Sequence, residues 1–355
     1  MSYLNDALKQ FGVDAKTVAG GSGHINETYV LDTKPRTILQ RVNPTVFKNP
    51  DYVMQNIEAV TAYLRERIVE EGGDPLRETL NVVPTVNGEP YYRAPDGSIY
   101  RMYYFIEGAK TYDRADTPAL FAASAHGFGK FQRMLADFPA DTLHEVIEKF
   151  HDTGDRLRQF REALEKNASG RADSVRPEIE FVLSRADYVT RVTDALADGS
   201  IPVRVTHNDT KLNNVMLDET TNEAICVIDL DTVMPGSMLY DFGDALRFGA
   251  STGSEDETDL SKIEFDLTYF EAFTKAFLEE VGHSITPKER ELLPFSAILM
   301  TLECGMRFLA DHLNGDVYFR IHRENHNLDR ARTQFKLVAD MEKKMDQMTA
   351  IVAKY

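Results

Sequence analysis

Tryptophan is absent from this chain of 355 residues, and cysteine occurs only twice. The missing tryptophan removes one common side chain for stacking on sugar rings, although 15 tyrosines and 20 phenylalanines remain. Cys226 and Cys304 lie in apolar surroundings and suit free thiols in a reducing compartment rather than a disulfide framework. No apolar run approaches the ~18 residues of a membrane span, and the first residues show no signal-peptide pattern. We therefore expect a cytoplasmic protein without a membrane-spanning helix.

Positive charge is also scarce, with 40 Lys and Arg against 57 Asp and Glu and a net charge of −17. Nucleic acids and anionic membranes need a basic surface, so neither is an expected partner. A nucleotide is compatible with this charge, because a few local cations and Mg²⁺ can outweigh the mean field. Heptad repeats are missing as well, which excludes only a long coiled coil. We expect a monomer or a small homo-oligomer.

The pattern of hydrophobic residues changes once along the chain. Strand patterns dominate the first hundred residues, with one helix predicted at 51–69 and a hairpin at 82–92 around Asn87-Gly88. After Gly108 the patterns are helical. The sequence thus predicts an α+β protein with a small antiparallel sheet lobe at 1–107, which contains one helix, and a larger, mainly helical lobe at 108–355.

Several local patterns add detail to the helical part. Thr286 to Glu289 form a capping box with proline at the first helical position. A continuous helix is predicted at 177–198. The stretch 251–262 is predicted to be the least ordered part of the chain, and residues 255–259 within it a solvated acidic loop. His322 and His326 do not match a zinc-binding H-E-x-x-H motif and are interpreted as surface residues.

The most informative motif starts at His207 and has the form H-x-D-x-K-x-x-N, followed by an acidic residue after the next strands. The Asp-to-Asn spacing is that of a kinase catalytic loop. In this interpretation Asp209 accepts the proton of the acceptor hydroxyl and Lys211 neutralises the transferring phosphoryl group. Asn214 and Asp229 hold Mg²⁺. A polar loop with Asx turns is the alternative, but Asp229 and a glycine-rich turn upstream favour catalysis. Asp241 and Asp244 are expected to brace the loop backbone.

Taken together, the glycine-rich turn, the segment Phe105–Gly108, HNDTKLNN and IDLD resemble the aminoglycoside phosphotransferase / choline kinase superfamily. This resemblance implies a protein-kinase-like two-lobed fold that uses ATP and Mg²⁺. Longer blocks, among them GHINETY, TILQRVN and VTHNDTKLNNVMLD, look like the N-acetylhexosamine 1-kinases of that superfamily. They imply phosphorylation of GlcNAc and GalNAc at the anomeric C1 hydroxyl, which gives the 1-phosphate and ADP. Adenine is expected to contact backbone groups of Phe105, Ile106 and Glu107.

The phosphates of the nucleotide are expected at the glycine-rich turn, where Gly21 and Gly23 let backbone N–H groups approach an anion. On the strand that follows, side chains alternate, so only one of Gln40 and Arg41 faces the cleft. The preceding apolar pair favours Gln40 and charge favours Arg41, so both remain candidates. Glu58 on the predicted helix is the candidate partner. A solvated position is the competing interpretation of Arg41 and Glu58.

The sugar side is less determined by the sequence. A neutral N-acetylhexosamine needs hydrogen-bonding side chains and an apolar wall, and the candidates are Asp209 at O1, His24 in the glycine-rich turn, Phe248, Arg307 and Tyr318. A packing role competes for Phe248 and Tyr318, and pairing with an acidic residue competes for Arg307. The alternative function is a kinase of the same fold that acts on a cationic acceptor such as choline or an aminoglycoside. That function needs clustered carboxylates in the second lobe, where the acidic residues are scattered.

Overall fold

The structure, a computed structural model, describes residues 3–14, 17–20, 26–43 and 46–355, with the backbone alone at 17–20. Within these ranges the strands are β1 (Thr17–Gly20), β2 (Glu27–Leu31), β3 (Thr37–Val42), β4 (Val82–Val83), β5 (Tyr91–Arg93), β6 (Ile99–Tyr104), β7 (Ala109–Lys110), β8 (Arg204–Thr206), β9 (Val215–Asp218), β10 (Ala224–Val227) and β11 (Met234–Gly236). The α-helices are α1 (Leu4–Gln10), α2 (Pro50–Glu70), α3 (Pro75–Glu78), α4 (Pro118–Met134), α5 (Thr153–Lys166), α6 (Arg176–Leu183), α7 (Arg191–Ala197), α8 (Met238–Gly249), α9 (Leu267–Val281), α10 (Pro287–Asn314) and α11 (His326–Lys354).

The chain divides into two compact units. The first contains Met1–Thr111, Asp137–Glu148 and Val215–Pro235. The second contains Tyr112–Ala136, Lys149–Asn214 and Gly236–Tyr355. The predicted lobes at 1–107 and 108–355 stay a prediction; the first compact unit extends to Thr111 and also contains two later segments of the chain.

An antiparallel sheet in the order β1-β2-β3-β6-β4, with β5 also paired to β6, forms the centre of the first unit. Alternation along β3 and β6 places Leu39, Tyr100 and Met102 in a hydrophobic cluster with Leu8 of α1. The predicted helix at 51–69 is α2. Its buried Asn56 donates to the carbonyl groups of His144 at 2.8 Å and Val233 at 2.9 Å, which ties α2 to both later segments of this unit.

The predicted hairpin at 82–92 is only partly present. The turn exists, since the Gly88 N–H donates to the Thr85 carbonyl at 2.9 Å. However, β4 and β5 pair with successive parts of β6, Val82 opposite Tyr103 and Tyr91 opposite Arg101. Because β6 presents a long buried edge, it takes up both short strands that the local pattern assigned to each other.

Helices build the core of the second unit. Phe242 of α8 packs against three phenylalanines of α9, and the shortest of these ring-centroid distances, to Phe277, is 5.3 Å. The predicted capping box of α10 is present, with the Glu289 N–H donating to Thr286 Oγ1 at 3.2 Å. By length and composition α10 could cross a membrane, but 83% of its most apolar window is buried inside the protein. A buried core helix passes the same test, so the match is weak evidence for a membrane span.

Three local predictions for the second unit are corrected by the structure. The predicted helix at 177–198 is divided into α6 and α7 by a short 3₁₀ turn. The stretch 251–262 is held by more contacts than predicted, since the Thr252 N–H donates to the Glu264 carbonyl at 3.1 Å and Glu255 pairs with Arg247 at 2.9 Å, although Thr258 and Asp259 are exposed. His326 is buried and lies 3.1 Å from Asp256. In the last two cases a polar residue pairs with a charged residue elsewhere in the chain, Glu255 with Arg247 and His326 with Asp256.

Candidate active site

The predicted catalytic loop brings Asp209, Lys211 and Asn214 together in the second unit. Lys211 Nζ lies 2.7 Å from Asp209 Oδ1, and Asn214 Nδ2 donates to Asp209 Oδ2 at 3.1 Å and to the Asp209 carbonyl at 2.7 Å. Burial alone would lower the pKa of Lys211, but attraction to the Asp209 carboxylate raises it above its ordinary value. Since the Asn214 amide nitrogen faces Asp209, its Oδ1 is the atom left to meet a cation.

Two acids of α8 hold the backbone of this loop, as expected from the sequence. Asp241 accepts from the N–H groups of His207 at 2.9 Å and Asn208 at 2.8 Å. Asp244 accepts from the Thr210 N–H at 3.1 Å. Burial raises the pKa of Asp241 from its ordinary value, although the donated hydrogen bonds lower it. These contacts fix the backbone on both sides of Asp209, so the carboxylate is preorganised.

Asp229, the second predicted metal ligand, belongs to the first unit. It follows β10, adopts a left-handed backbone conformation with φ 59°, and its side chain is exposed. Asn214 and Asp229 both offer hard oxygen atoms of the kind that Mg²⁺ prefers. Among the described residues, no group of three or more His, Cys, Asp or Glu side chains is arranged to hold a metal ion. Their shared role in metal binding therefore stays a prediction.

The register of the first sheet separates the two candidates for the nucleotide side. Gln40 is opposite Arg101 and accepts from its Nε at 3.0 Å and its Nη2 at 2.8 Å. Arg41 points to the other face, where it pairs with Glu27 at 2.8 Å and donates to Ser98. The expected pairing with Glu58 is thus replaced by a pairing with Glu27. Glu58 is exposed on α2, but the neighbouring protein atoms partly desolvate its carboxyl group and raise its pKa.

Arg101 and Asp231 were not singled out by the sequence analysis, yet they form the main buried charge pair of the first unit. Arg101 Nη1 lies 2.5 Å from Asp231 Oδ1, and the two side chains are 2% and 3% exposed. Asn26 also donates to Asp231 Oδ2 at 2.7 Å. The available sequence signal was an arginine in the middle of the apolar-aromatic strand β6, where a buried charge requires a partner.

The predicted adenine-binding segment follows β6. The Phe105 N–H donates to the Arg36 carbonyl at 2.9 Å, and the Arg36 guanidinium lies 4.0 Å from the centre of the Phe105 ring. Arg36 also forms an ion pair with Glu107, which lowers the pKa of that exposed carboxyl. Ile106 is buried against Ile225 and Cys226. The segment is therefore anchored by its side chains, while its role toward adenine stays a prediction.

The structure separates the candidates for the sugar side. Gly21, Gly23 and His24 lie outside the described residues. Phe248 lines a cavity of about 380 Å³ in the second unit, together with Arg247, Tyr269 and Leu212 of the catalytic loop.

Arg307 and Tyr318 are not among the residues that line this cavity. The Arg307 guanidinium lies 5.7 Å from the centre of the Phe150 ring and 5.6 Å from that of Phe319. Tyr318, 71% exposed, stacks edge-on against Phe319 at 4.8 Å. Arg307, Tyr318 and the two phenylalanines thus form one aromatic and cationic cluster. We call these four residues the Arg307 cluster.

An antiparallel sheet unit with few helices, a helical unit and a braced H-x-D-x-K-x-x-N loop define a kinase-like, two-lobed α+β fold. The sequence profile of the phosphotransferase enzyme family (APH) matches residues 16–280. The chain therefore belongs to this family and is a phosphotransferase that acts on a hydroxyl acceptor.

Solved structures agree with this fold. A microcompartment-associated aminopropanol kinase is similar with a TM-score of 0.65 at 16% identity, over 97% of each chain. An aminoglycoside phosphotransferase from Alicyclobacillus acidocaldarius gives 0.66 at 14% identity, over 99% of this chain and 96% of that one. A spectinomycin phosphotransferase in complex with ADP and spectinomycin gives 0.54 at 14% identity, over 94% of this chain and 98% of that one. At these identities the similarity concerns the fold alone.

Proposed function

We propose that the protein uses ATP and Mg²⁺ to phosphorylate N-acetylhexosamines, GlcNAc and GalNAc, at the anomeric C1 hydroxyl. The sequence blocks that resemble N-acetylhexosamine 1-kinases support this acceptor, and membership of the phosphotransferase family supports the reaction. The similar structures that carry aminoglycoside, spectinomycin or aminopropanol in their names make an amino alcohol the competing acceptor class.

The observation that favours a neutral acceptor is the state of three buried carboxylates beside the catalytic loop. Glu303 is bonded to His151 and Thr153, Asp244 to Arg247, and Asp241 to backbone N–H groups. Each of these acids already has an internal partner, and a cationic acceptor requires carboxylates that are available to it. The nearby Arg307 cluster instead offers a guanidinium and aromatic faces, which suit the carbonyl oxygen and the ring of a neutral sugar.

In the proposed reaction Asp209 accepts the proton of the C1 hydroxyl as the oxygen attacks the γ-phosphorus and ADP leaves. An anomeric hydroxyl is more acidic than an ordinary sugar alcohol, so a carboxylate base is adequate. Lys211, held 2.7 Å from Asp209, supplies positive charge beside the transferring group. Asn214 Oδ1 and Asp229 would hold Mg²⁺, which neutralises charge on the phosphate oxygens. Most of the rate enhancement would come from alignment and electrostatics.

The nucleotide would be held by the first unit. Backbone groups of Phe105, Ile106 and Glu107 are proposed for adenine, and the glycine-rich turn for the phosphates. Gln40 lies on the sheet face of Arg101 and Asp231 and is preferred to Arg41, whose charge is used by Glu27. We further propose a cytoplasmic setting and a monomer or small homo-oligomer, with no nucleic-acid or membrane partner.

A panel of acceptors tests this function. The protein would be incubated with ATP and MgCl₂ and, separately, with GlcNAc, GalNAc, glucosamine, choline and kanamycin, and ADP release would be followed. We expect turnover on GlcNAc and GalNAc, little on the three amines, and a product whose phosphate is on C1 by ³¹P NMR. Efficient turnover of choline or kanamycin without turnover of either N-acetylhexosamine would transfer the assignment to the cationic class.

The variant Asp209→Ala tests whether Asp209 is the base. We expect it to abolish ADP release while ATP binding, measured by calorimetry, stays within about threefold, because the loss is confined to the transition state. Normal turnover by this variant would show that Asp209 is not the base.

A further inference from the structure

His151 lies beneath the catalytic loop, in contact with the residue that precedes the base. Its Nε2 lies 3.1 Å from the Asn208 carbonyl oxygen, and its Nδ1 lies 2.8 Å from Glu303 Oε1. Thr153 Oγ1 donates to the second oxygen of Glu303 at 2.6 Å. All of these side chains are buried, with His151 7% exposed and Glu303 1% exposed.

The partners determine the protonation of the imidazole. A carbonyl oxygen only accepts hydrogen bonds, so Nε2 must carry a proton. An ionised Glu303 also only accepts, so Nδ1 must carry one as well. Burial disfavours the charge of His151, but attraction to Glu303 raises its pKa above the ordinary value, and the same attraction lowers the pKa of Glu303. Asp244 adds a further attraction from α8, and Arg307 faces Glu303 from the same helix, α10.

The backbone of Asn208, which His151 contacts, has an unusual conformation. Its backbone is left-handed, with φ 68°, which is uncommon for a residue other than glycine and costs free energy. Asp241 fixes the Asn208 N–H from one side, and His151 fixes its carbonyl from the other. The first contact holds the peptide bond between His207 and Asn208, and the second holds the peptide bond between Asn208 and Asp209.

We propose that His151, doubly protonated and paired with Glu303, is a positioning residue for phosphoryl transfer, which holds the Asn208 carbonyl and thereby the Asp209 carboxylate. This proposal rests on Asp209 as the base in the proposed function, and it does not depend on which hydroxyl compound is the acceptor. His151 makes no contact with substrate in this scheme. Its effect is on the geometry of the base.

The test compares the single variant His151→Gln with a double variant in which the hydrogen bond between positions 151 and 303 is restored. In His151→Gln the amide can still donate to Asn208, but its oxygen meets the Glu303 carboxylate. We expect kcat on GlcNAc to fall by about tenfold to a hundredfold, as small displacements of a catalytic group do, with KM for GlcNAc and ATP within about twofold. Adding Glu303→Gln supplies an N–H for that oxygen and should restore most of kcat.

His312→Gln is the matched control. His312 is also buried, at 1% exposure, in the same helical unit, but it faces Arg171 and Asp316 rather than the loop. We expect it to keep kcat, whatever it does to the melting temperature. Thr153→Val removes only the hydroxyl that bonds Glu303 and should give a smaller fall in kcat. This milder change keeps the test decisive even where His151→Gln folds poorly.

Amide hydrogen exchange of residues 207–210 supplies a readout that needs no acceptor. We expect faster exchange in His151→Gln and recovery in the double variant. Absence of turnover by the native protein would refute the proposed function alone, and the exchange pattern would still decide the role of His151. The role is overturned by an unchanged kcat and exchange in His151→Gln, by a loss of kcat that the folded double variant does not recover, or by an equal loss in His312→Gln.

Discussion

Arg101 on β6 and Asp231 form an ion pair that is almost completely withdrawn from solvent, whereas Arg41 on β3 and Glu27 on β2 form a pair at the surface. The two pairs have similar short distances, 2.5 Å and 2.8 Å. Their surroundings differ, because water screens the second pair and is excluded from the first. Removing the arginine should therefore have very different consequences at the two positions.

Arg101→Met should lower the free energy of unfolding by about 3–5 kcal/mol, because it leaves the Asp231 carboxylate buried without a counter-charge. Because the hydrogen bond from Asn26 to Asp231 remains, we expect a loss of stability near the lower end of this range. Arg41→Met, with Glu27 54% exposed, should change stability by less than about 1 kcal/mol. Urea denaturation followed by circular dichroism measures both. Equal shifts of the two midpoints would contradict the difference in burial.

Gln40, Arg41 and Arg101 show which features of the site can be predicted from the sequence. Alternation along β3 correctly made Gln40 and Arg41 exclusive alternatives, because side-chain direction is a local property of a strand. The choice between them depended on Arg101 and Asp231, which approach Gln40 only after the sheet is assembled and the segment after β10 has joined it. The Asp209, Lys211 and Asn214 cluster was predictable, since all three residues lie on one short loop.

At the scale of the helix, α8 links the loop to the core. It carries Asp241 and Asp244 toward the loop, and its Gly243 faces α10. A Cβ atom on Gly243 would collide with the Ser296 carbonyl oxygen and lie 2.7 Å from Met300 Cγ. The close approach of the two helices thus depends on glycine at this position.

Gly243→Ala should destabilise the protein by about 1–3 kcal/mol through overpacking, and it should also lower kcat, because a displaced α8 moves the two acids that brace the loop. Gly154→Ala in α5 is the control, since the atom nearest to an added Cβ is the side-chain oxygen Asp152 Oδ1 at 3.2 Å rather than a backbone atom; its effect should stay below about 1 kcal/mol. Melting temperature and steady-state kinetics report both quantities. A destabilised Gly243→Ala with native kcat would separate helix packing from loop geometry.

Helix ends were predictable for a related reason. Thr117 and Thr286 cap α4 and α10 through N–H groups only three residues away, at 3.2 Å in each case, so proline and capping patterns in the sequence suffice. The pairing of β4 and β5 was not predictable in this way, because it depends on competition for the edge of β6. The division between α6 and α7 likewise leaves no glycine or proline signal in the stretch between them.

For the molecule as a whole, a net charge of −17 describes the surface more than the active site. Asp241, Asp244 and Glu303 beside the catalytic loop are buried and bonded to internal partners, so these three carboxylates are not available to a cationic acceptor. The pairs that they form depend on pH, however, and this dependence should appear in the stability of the whole protein.

The His151 and Glu303 pair sets the direction of that dependence. Burial opposes both charges, yet mutual attraction raises the pKa of His151 above 6.5 and lowers that of Glu303 below 4.5. A raised histidine pKa stabilises the fold fully below 6.5, and this stabilisation is lost as pH rises through the folded-state value. A lowered glutamate pKa stabilises it fully above 4.5, and this is lost as pH falls through the folded-state value.

The contribution of the pair should therefore be greatest between these two limits. It is isolated by subtracting the melting temperature of the His151→Gln, Glu303→Gln double variant from that of the native protein at each pH, because the groups that do not interact with the pair titrate alike in both and cancel. We expect the difference to be largest between pH 4.5 and 6.5 and to shrink toward alkaline and strongly acidic pH. A difference that stays constant across the whole range would mean that folding shifts neither pKa, and the pairing of His151 with Glu303 would then contribute nothing to stability.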